Sequence, residues 1–381
     1  MKFDFSEEEL MLRQQVRKFA QEKVGPLMAG HEEVESPEVV AKLTKAIGKQ
    51  GLCTLFVSKE YGGTGVRSVP ICIVREELAK VSPSADGMFA ELGLGTFGIS
   101  VAGTKEQQSK YLPMVAKGKL LATFALTEPD AGSDVSAIST IAKLIDNHYV
   151  LNGEKAFASV AGVADFYTIF AKTDPSKGRK GISAFIVERG TQGVEIGPIP
   201  MISGPPEYTI KLTNCAIPKE NLIGQEGDGW AISLGTLNVF RTTVGAAALG
   251  MAEAAFSEAF SYAKQRIAFG QPIANFQAIQ FKLADMATRI EASRWLVYHA
   301  AYLRDEGKLP RHIKYASMAK LFATETLGYV VDEAVQIHGG WGLTKGFKVE
   351  HLFREARLCR IYEGTSEIQR LTIFNEISRG Y

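Results

Sequence analysis

The chain has 381 residues, 46% apolar and 22% charged, and its 43 Lys and Arg nearly cancel 42 Asp and Glu. Single hydrophobic cores stop growing at around 250 to 300 residues, so two or three packed units are expected. The balanced charge excludes a basic field for nucleic acid or an anionic membrane surface, and no uncharged stretch spans a bilayer.

Four scattered cysteines, Cys53, Cys72, Cys215 and Cys359, form no CxxC or close pair. That pattern argues for reduced thiols in a reducing compartment over a disulfide frame or zinc site. None of the six histidines has metal-ligand spacing, so no metal is expected. The acidic, amphipathic start, MKFDFSEEELMLRQQVRKFAQEKVGP, lacks the basic region and apolar run of a secretory signal. The expected location is cytoplasmic, and a mitochondrial-matrix form with its transit peptide removed would read the same.

Ser6 and Glu9 signal a capping box, and Leu10, Leu12, Val16, Phe19 and Ala20 then recur at helical spacing until Gly25-Pro26 is expected to stop the run. Helical patterns continue through PEVVAKLTKAIGKQG, VPICIVREELAKVS and MFAELGLGTFGISVAG, giving an N-terminal all-α domain over 1–120. Near Leu121 the period changes. LLATFALT, HYVLNGEKAFAS, DFYTIFAK, GISAFIVE, VEIGPIP and YTIKLTNCAI are short alternating or β-branched runs, with Asn152-Gly153 as a hairpin signal. They predict a β-barrel-like middle domain over 121–230. Long helical runs return over 231–381, one ending on the glycines of QIHGG, and predict a four-helix-bundle-like domain. The fold class is α+β, with a cleft among the three parts as the place for a ligand.

Five segments offer chemistry. In FALTEPDAGSDVSAI (124–138) small residues and turns suit a backbone nest for a pyrophosphate, although an ordinary turn after a strand is commoner and no Walker lysine or GxGxxG is present. GEKAFAS (153–159) offers Phe157 and Ser159 to a flat heteroaromatic ring, or Phe157 simply to a core. RIAFGQPIANFQ (266–277) presents Arg266, Phe269 and Gln277, suited to phosphate charge, ring stacking and polar contact, or to a plain loop. QIHGGWG (336–342) serves as a helix C-cap, with His338 a structural histidine. In IYEGTSEIQR (361–370), Ser366 and Gln369 read as a capping box, placing Glu363 in the turn before a helix. There it is either a solvated charge at a positive helix end or, in an apolar pocket formed by Ile361 and Tyr362, a carboxyl raised toward a useful base.

TEPDAGSDVS, GEK with an aromatic four residues past its Gly, RxxFG with a following Gln, QxxGGxG and IYEGTSEIQR occur in this order and together resemble the acyl-CoA dehydrogenase family. The resemblance covers essentially the whole chain, and the motifs around 126–138 and 351–370 are specific.

The resemblance implies noncovalent FAD between the β domain and the C-terminal helices of a homotetramer. It implies transfer of electrons to an electron-transfer flavoprotein and an acyl-CoA substrate dehydrogenated at its α,β bond. Phe124, Leu126 and Thr127 then line the flavin, Ser133 reaches the pyrophosphate and the edge of the acyl-CoA site, and Phe157, Ala158 and Ser159 follow. Phe157 stands where many members have tryptophan and Ser159 where they have a threonine that bonds flavin N5. Arg266, Phe269 and Gln277 match contacts to FAD across a subunit interface. Gln336, Ile337, His338, Gly339 and Gly340 match the loop at the adenine-diphosphate half, and Thr365 and Glu367 the last flavin contacts.

Glu363 falls on the family's usual base; the alternative base position is near Phe240, which cannot take a proton. Gly364 leaves room for the acyl group, and Arg241 matches an arginine near the substrate, or else is a helix-surface cation. Glu91 lies on a helix that lines the acyl pocket in this family. If buried there, it implies a polar or cyclic acyl group or a second proton-handling role; otherwise it faces solvent or pairs with a cation. Pro205-Pro206 replaces a small polar turn, leaving the acyl preference open. An oxidase, flavin monooxygenase or enoyl-CoA reductase of the same fold is the alternative activity, and a noncatalytic acyl-CoA or flavin-binding scaffold the alternative class.

Overall fold

The structure, a computed structural model, describes residues 5–33, 36–308 and 311–380. In chain order the helices α1 (Glu7–Phe19), α2 (Gly25–Met28), α3 (Pro37–Lys49), α4 (Ser68–Ala79), α5 (Pro83–Ala102) and α6 (Lys105–Ala116) come first. Strands β1 (Ala122–Ala125), β2 (Ile141–Ile145), β3 (His148–Lys155), β4 (Phe166–Lys172), β5 (Ile182–Glu188), β6 (Val194–Ile199), β7 (Glu207–Pro218) and β8 (Leu222–Ile223) follow. Then come α7 (Gly229–Gln265), the short β9 (Ile267–Ala268) and β10 (Gln271–Pro272), α8 (Gln277–Asp305), α9 (Arg311–His338), α10 (Lys348–Cys359) and α11 (Ser366–Ser378). This is the helical, β, helical order expected of an α+β chain.

By internal contacts the chain gathers into two units, one of residues 1–26, 67–86 and 238–381, the other of residues 27–66 and 87–237. The first is helical apart from the short β9–β10 pair. Its core is built from the alanine-rich face of α7 (Ala246, Ala247, Ala252, Ala255, Ala259), with Met286, Ile290 and Val297 of α8 and Ala319, Ala323, Leu327 and Val331 of α9. Small side chains let these helices approach closely. At Gly250 of α7 a Cβ would stand 2.2 Å from the Glu76 carbonyl oxygen of α4. The Ser6 side chain and Glu9 form the expected capping box. The helix does not stop at Gly25-Pro26, however. A π-helical turn over Ala20–Val24 leads straight into α2, because Pro near the start of a new helical turn has no N–H to lose.

In the second unit the sheet order is β6-β7-β3-β2-β4-β5-β8, with β1 pairing in parallel with β4. The path is open, ending on β6 and β8, so the barrel-like expectation narrows to an unclosed sheet. One face packs around Tyr149, Leu151, Tyr167, Ile169, Phe185 and Ile210.

Asn152-Gly153 is not a hairpin turn. It lies inside β3, where the register to β7 shifts between Leu151 and Gly153, while the β2–β3 turn is made at Asp146 (φ 52°). Gly153 takes φ 149°, and a Cβ there would meet Thr140 Oγ1 at 2.5 Å, so the glycine serves a bulge. Gly153→Ala is therefore expected to lower unfolding free energy by roughly 2 kcal/mol, combining backbone strain with overpacking. Urea denaturation measures it, and an unchanged midpoint would contradict the bulge argument.

Candidate functional site

The turn between α10 and α11 carries Glu363 at φ 50° and Gly364 at φ 93°. A left-handed glutamate costs about 1 to 3 kcal/mol, and such conformations persist where surrounding contacts over-determine them. Those contacts are present. The Glu363 carbonyl accepts from Arg241 Nε (3.3 Å) and Gln369 Nε2 (3.3 Å), and the Gly364 carbonyl from Lys320 Nζ (2.9 Å) and Gln369 Nε2 (2.9 Å). A Cβ on Gly364 would meet Gln369 Nε2 at 2.8 Å. The N-cap of α11 is Thr365, whose side chain accepts from Ile368 N at 3.3 Å, rather than the expected Ser366. Ser366 instead donates to Glu325 (2.6 Å), and Gln369 turns back to the two carbonyls.

Glu363 Oε2 is buried without a hydrogen-bond partner. Burial lifts the carboxyl to about 7, against the downward pull of Arg75, Lys320 and Arg241. Ile361 is half exposed, so it does not supply the expected apolar wall, and Tyr362 directs its hydroxyl toward Cys359 Sγ (3.4 Å). The enclosing groups come from α4, α7 and α9. Arg75 is itself neutralised by a two-pronged pair with Asp86 (2.9 and 2.8 Å).

Arg241 is only 7% exposed, which rules out a surface cation; burial lowers its pKa, opposed by Glu363. Phe240 beside it is fully buried. Glu367, in the first turn of α11, is exposed, with its pKa lowered by the turn's backbone N–H and by Thr365.

In the same unit an open cavity of about 520 Å³ joins two of the singled-out segments, with Arg266, Ile337, His338, Gly339 and Gly340 in its wall beside Tyr262 and Trp341. His338 Nδ1 lies 2.7 Å from the Ala334 carbonyl oxygen, and its ring stacks on Tyr262 (4.3 Å). Gly339, at φ 60°, ends α9 as the sequence led one to expect. Gln336 and Gln277 are exposed and do not line the cavity. Phe269 and Gly270 form the two-residue turn between β9 and β10, both at positive φ (50° and 76°), and the Phe269 side chain is 94% exposed. Its one ring contact among the described residues is edge-on to Phe276, centroids 6.0 Å apart, which leaves most of a strained aromatic open to solvent.

In the second unit the TEPDAGSD and GEK segments meet through a pair not foreseen from sequence. Glu128 accepts from Lys155 Nζ (2.7 Å), the Ser139 N–H (2.5 Å) and hydroxyl (2.8 Å), and the Thr140 N–H (3.0 Å). Burial would raise Glu128, but Lys155 and these donors hold it at about 2. Burial brings Lys155 down to about 8, opposed by Glu128. Lys155 Nζ also donates to the Leu126 carbonyl (3.3 Å), and Ala156 N to the Thr127 carbonyl (2.9 Å). The two segments are thereby fixed edge to edge.

Glu128 and Ala131 exchange both backbone hydrogen bonds, so those two N–H groups are not free for an anion, and Ser133 is exposed just beyond. Phe157 is strained (φ 55°) and 54% exposed, not core; Ala158 is buried; Ser159 Oγ donates to Glu207 (3.0 Å). Glu91 is buried and accepts from Phe124 N (2.5 Å) and Thr123 Oγ1 (2.8 Å), so the solvent-facing alternative falls away.

Sequence reasoning passed over Lys320, Glu128, Lys155, Arg75 and Asp86, and gave Gln369 only a capping role. For Lys155 a signal existed: its charge falls on the inward alternation of a strand that also buries Tyr149 and Leu151. For Lys320 it was a lone cation on the apolar face of α9. Among the described residues no group of His, Cys, Asp and Glu is arranged to hold a metal, and no helix is long and apolar enough to cross a membrane.

Comparison with known proteins gives three family models, described as acyl-CoA dehydrogenase N-terminal, middle and C-terminal domains, matching residues 6–119, 123–215 and 227–378. An acyl-CoA dehydrogenase of Bacillus subtilis is 44% identical, with 97% of each chain covered. A short-chain-specific acyl-CoA dehydrogenase of Clostridium acetobutylicum is 42% identical over 100% of both chains. An acryloyl-CoA reductase (NADH) of Anaerotignum propionicum is 41% identical, covering 100% of this chain and 96% of its own. Among solved structures, butyryl-CoA dehydrogenase of Megasphaera elsdenii superposes with a TM-score of 0.92 at 36% identity, over 100% of both chains. A chain from a structure of the electron transferring flavoprotein of Acidaminococcus fermentans gives 0.93 at 38%, over 100% of both. An acyl-CoA dehydrogenase of Bacillus anthracis complexed with FAD gives 0.90 at 34%, covering 100% of this chain and 68% of its own.

Proposed function

The chain belongs to the acyl-CoA dehydrogenase family, and from that premise we propose that it catalyses FAD-dependent α,β-dehydrogenation of an acyl-CoA thioester to the 2-enoyl-CoA. One observation carries this. Glu363 presents a carboxylate oxygen that is buried and unpartnered, on a strained turn, with its carboxyl lifted to about 7, where a general base is most effective.

Glu363 takes the α-proton. A positioned base supplies roughly 10²- to 10⁴-fold, too little for so weak a carbon acid. The thioester oxygen therefore needs donors in place as charge develops, and the Glu363 backbone N–H is the chain's own contribution. Arg241, Lys320 and Gln369 fix that N–H and the carboxylate together by holding the turn's carbonyls. Gly364 leaves space for the acyl group beside Arg241, and Ser133 is a proposed contact of the acyl-CoA.

The residues present fit FAD. Arg266 and the glycine end of α9 in one cavity suit a diphosphate, and the strained, exposed Phe157 and Phe269 suit ring contacts. Phe124, Leu126, Thr127, Ala158, Ser159, Thr365 and Glu367 complete the proposed set, with Gln277 and Gln336 as exposed contacts. Bound FAD supplies the hydride acceptor that no side chain offers. An electron-transfer flavoprotein as the onward acceptor is supported by the Acidaminococcus structure. A homotetramer, three domains over 1–120, 121–230 and 231–381, and a cytoplasmic or matrix location complete the proposal.

The test is an anaerobic screen of acyl-CoA thioesters, cyclic ones included, watching flavin absorbance. Bleaching identifies the substrate class, and slow reoxidation in air separates a dehydrogenase from an oxidase. FAD-loaded protein that no thioester bleaches would be a scaffold, not an enzyme. A second reading is reduction of an enoyl-CoA, favoured by the same carboxyl: at about 7 it is half protonated near neutrality and can give a proton as readily as take one. The 41% identical acryloyl-CoA reductase supports including that direction.

Glu91 is the feature that favours a polar or cyclic acyl group or a second proton-handling role, since a buried carboxylate is costly. Glu91→Gln is expected to change the ranking of thioesters in the screen. An unchanged rate and ranking would reduce Glu91 to a tie between α5 and β1.

A further inference from the structure

We propose that Lys320 is a positioning residue for Glu363: its buried ammonium group anchors the turn through the Gly364 carbonyl and biases the neighbouring carboxyl toward its carboxylate form. The proposal rests on Glu363 being the base. Lys320 is fully buried on α9, and among the described residues its Nζ makes one hydrogen bond, to Gly364, and no ion pair. Burying an unpaired ammonium is expensive. Hydrogen bonding does not require it, because Gln369 Nε2 already donates to the same carbonyl at 2.9 Å. A neutral side chain would fill the place at lower cost, so what the lysine adds is its charge.

The charges around the carboxyl show where that charge acts. Glu363 is faced by Arg75 of α4, Asp86 at the start of α5, Arg241 of α7 and Lys320 of α9. Arg75 and Asp86 largely cancel each other in their two-pronged pair. Among the described residues Arg241 donates only to the Glu363 carbonyl and to Asn238, so it and Lys320 are the uncompensated cations. Lys320 in turn is faced by Cys359 of α10, by Glu363, by Arg241 and by Glu325 of its own helix. Burial keeps the Cys359 thiol neutral, raised to about 11, and Glu325 is engaged by Ser366 and Arg360. Glu363 is thus the anion that Lys320 serves. Burial also lowers Lys320 to about 8, so its charge is present where Glu363 ionises.

The test is an infrared titration of the FAD-loaded enzyme, following the carboxyl band that Glu363→Gln removes. Wild type should titrate near 7. Lys320→Met should move the midpoint up by about one pH unit, while Lys320→Arg holds it. Because an unpaired buried cation is removed, Lys320→Met should also be no less stable than wild type. Lys320→Gln gives the same midpoint test should the Met variant not fold. An unmoved midpoint in the Met or Gln variant, or loss of stability with no shift, would overturn the proposal. The titration needs no substrate, so it can fail while Glu363→Gln still abolishes bleaching, or succeed while Glu363→Gln bleaches normally.

Discussion

Replacing Glu363 by Gln should leave FAD bound while slowing thioester-dependent flavin bleaching by roughly 10²- to 10⁴-fold. The amide keeps the size of the side chain and leaves the turn's carbonyl partners, Arg241, Lys320 and Gln369, untouched, so the loss isolates the proton acceptor. The same variant carries a stability signature. Glu363 titrates at about 7 when folded against an ordinary 4.5, so folding binds a proton between those values. The buried carboxylate therefore costs stability, and the cost is complete above about 7 and absent below 4.5. Glu363→Gln should be more stable than wild type at mildly alkaline pH by on the order of 3 kcal/mol, and the gain should vanish on acidification. Thermal melts at several pH values measure this. A variant less stable than wild type at alkaline pH would mean that the carboxylate is paired in a way the geometry does not contain.

Lys155→Met is the second large effect, and it falls on stability. Lys155 and Glu128 are almost completely buried, and Lys155 is the only cation paired with Glu128 among the described residues. Removing one partner leaves a buried carboxylate without its counter-charge, expected to cost about 3 to 5 kcal/mol in denaturant unfolding. Glu128 is lowered from 4.5 to about 2, so its contribution is present above 4.5 and lost as the pH falls through about 2. The gap between wild type and Lys155→Met should accordingly narrow in acid. The double variant Lys155→Met with Glu128→Gln should recover much of the loss, because the pair then disappears as a unit. Equal losses in single and double variants would show that Lys155 matters for packing alone.

What the sequence disclosed follows from the range of the interactions involved. Local signals were legible: the Ser6 capping box, Gly339 ending α9, and the alternating runs that became β1 and β3 to β7 are all decided within a few residues, whereas β2 and the two-residue β8 were not among those runs. Asn152-Gly153 misled because the same dipeptide that suits a turn also suits a bulge, and only pairing with β7 and the closeness of Thr140 decide between them. The capping of α11 slipped by one residue because Thr365 and Ser366 are both good caps, and Glu325, 41 residues away, claims Ser366. At the candidate site Glu363, Gly364 and Arg241 were visible through motifs. Lys320 and the Arg75–Asp86 pair were not, since their meaning depends on helices brought together by folding. Glu128 and Lys155 lay inside motifs already singled out, yet their partnership spans 27 residues and needed the sheet to be seen.

The central claim is that a carboxyl titrating near neutrality removes the α-proton. Single-turnover flavin bleaching by the best thioester, followed anaerobically from about pH 5 to about pH 9, tests it most directly. The rate of wild type should rise with pH through a midpoint near 7, and Glu363→Gln should show neither that rise nor the wild-type rate. A wild-type rate that is flat across this range, or a Glu363→Gln enzyme that keeps the same rate and the same rise, would contradict it.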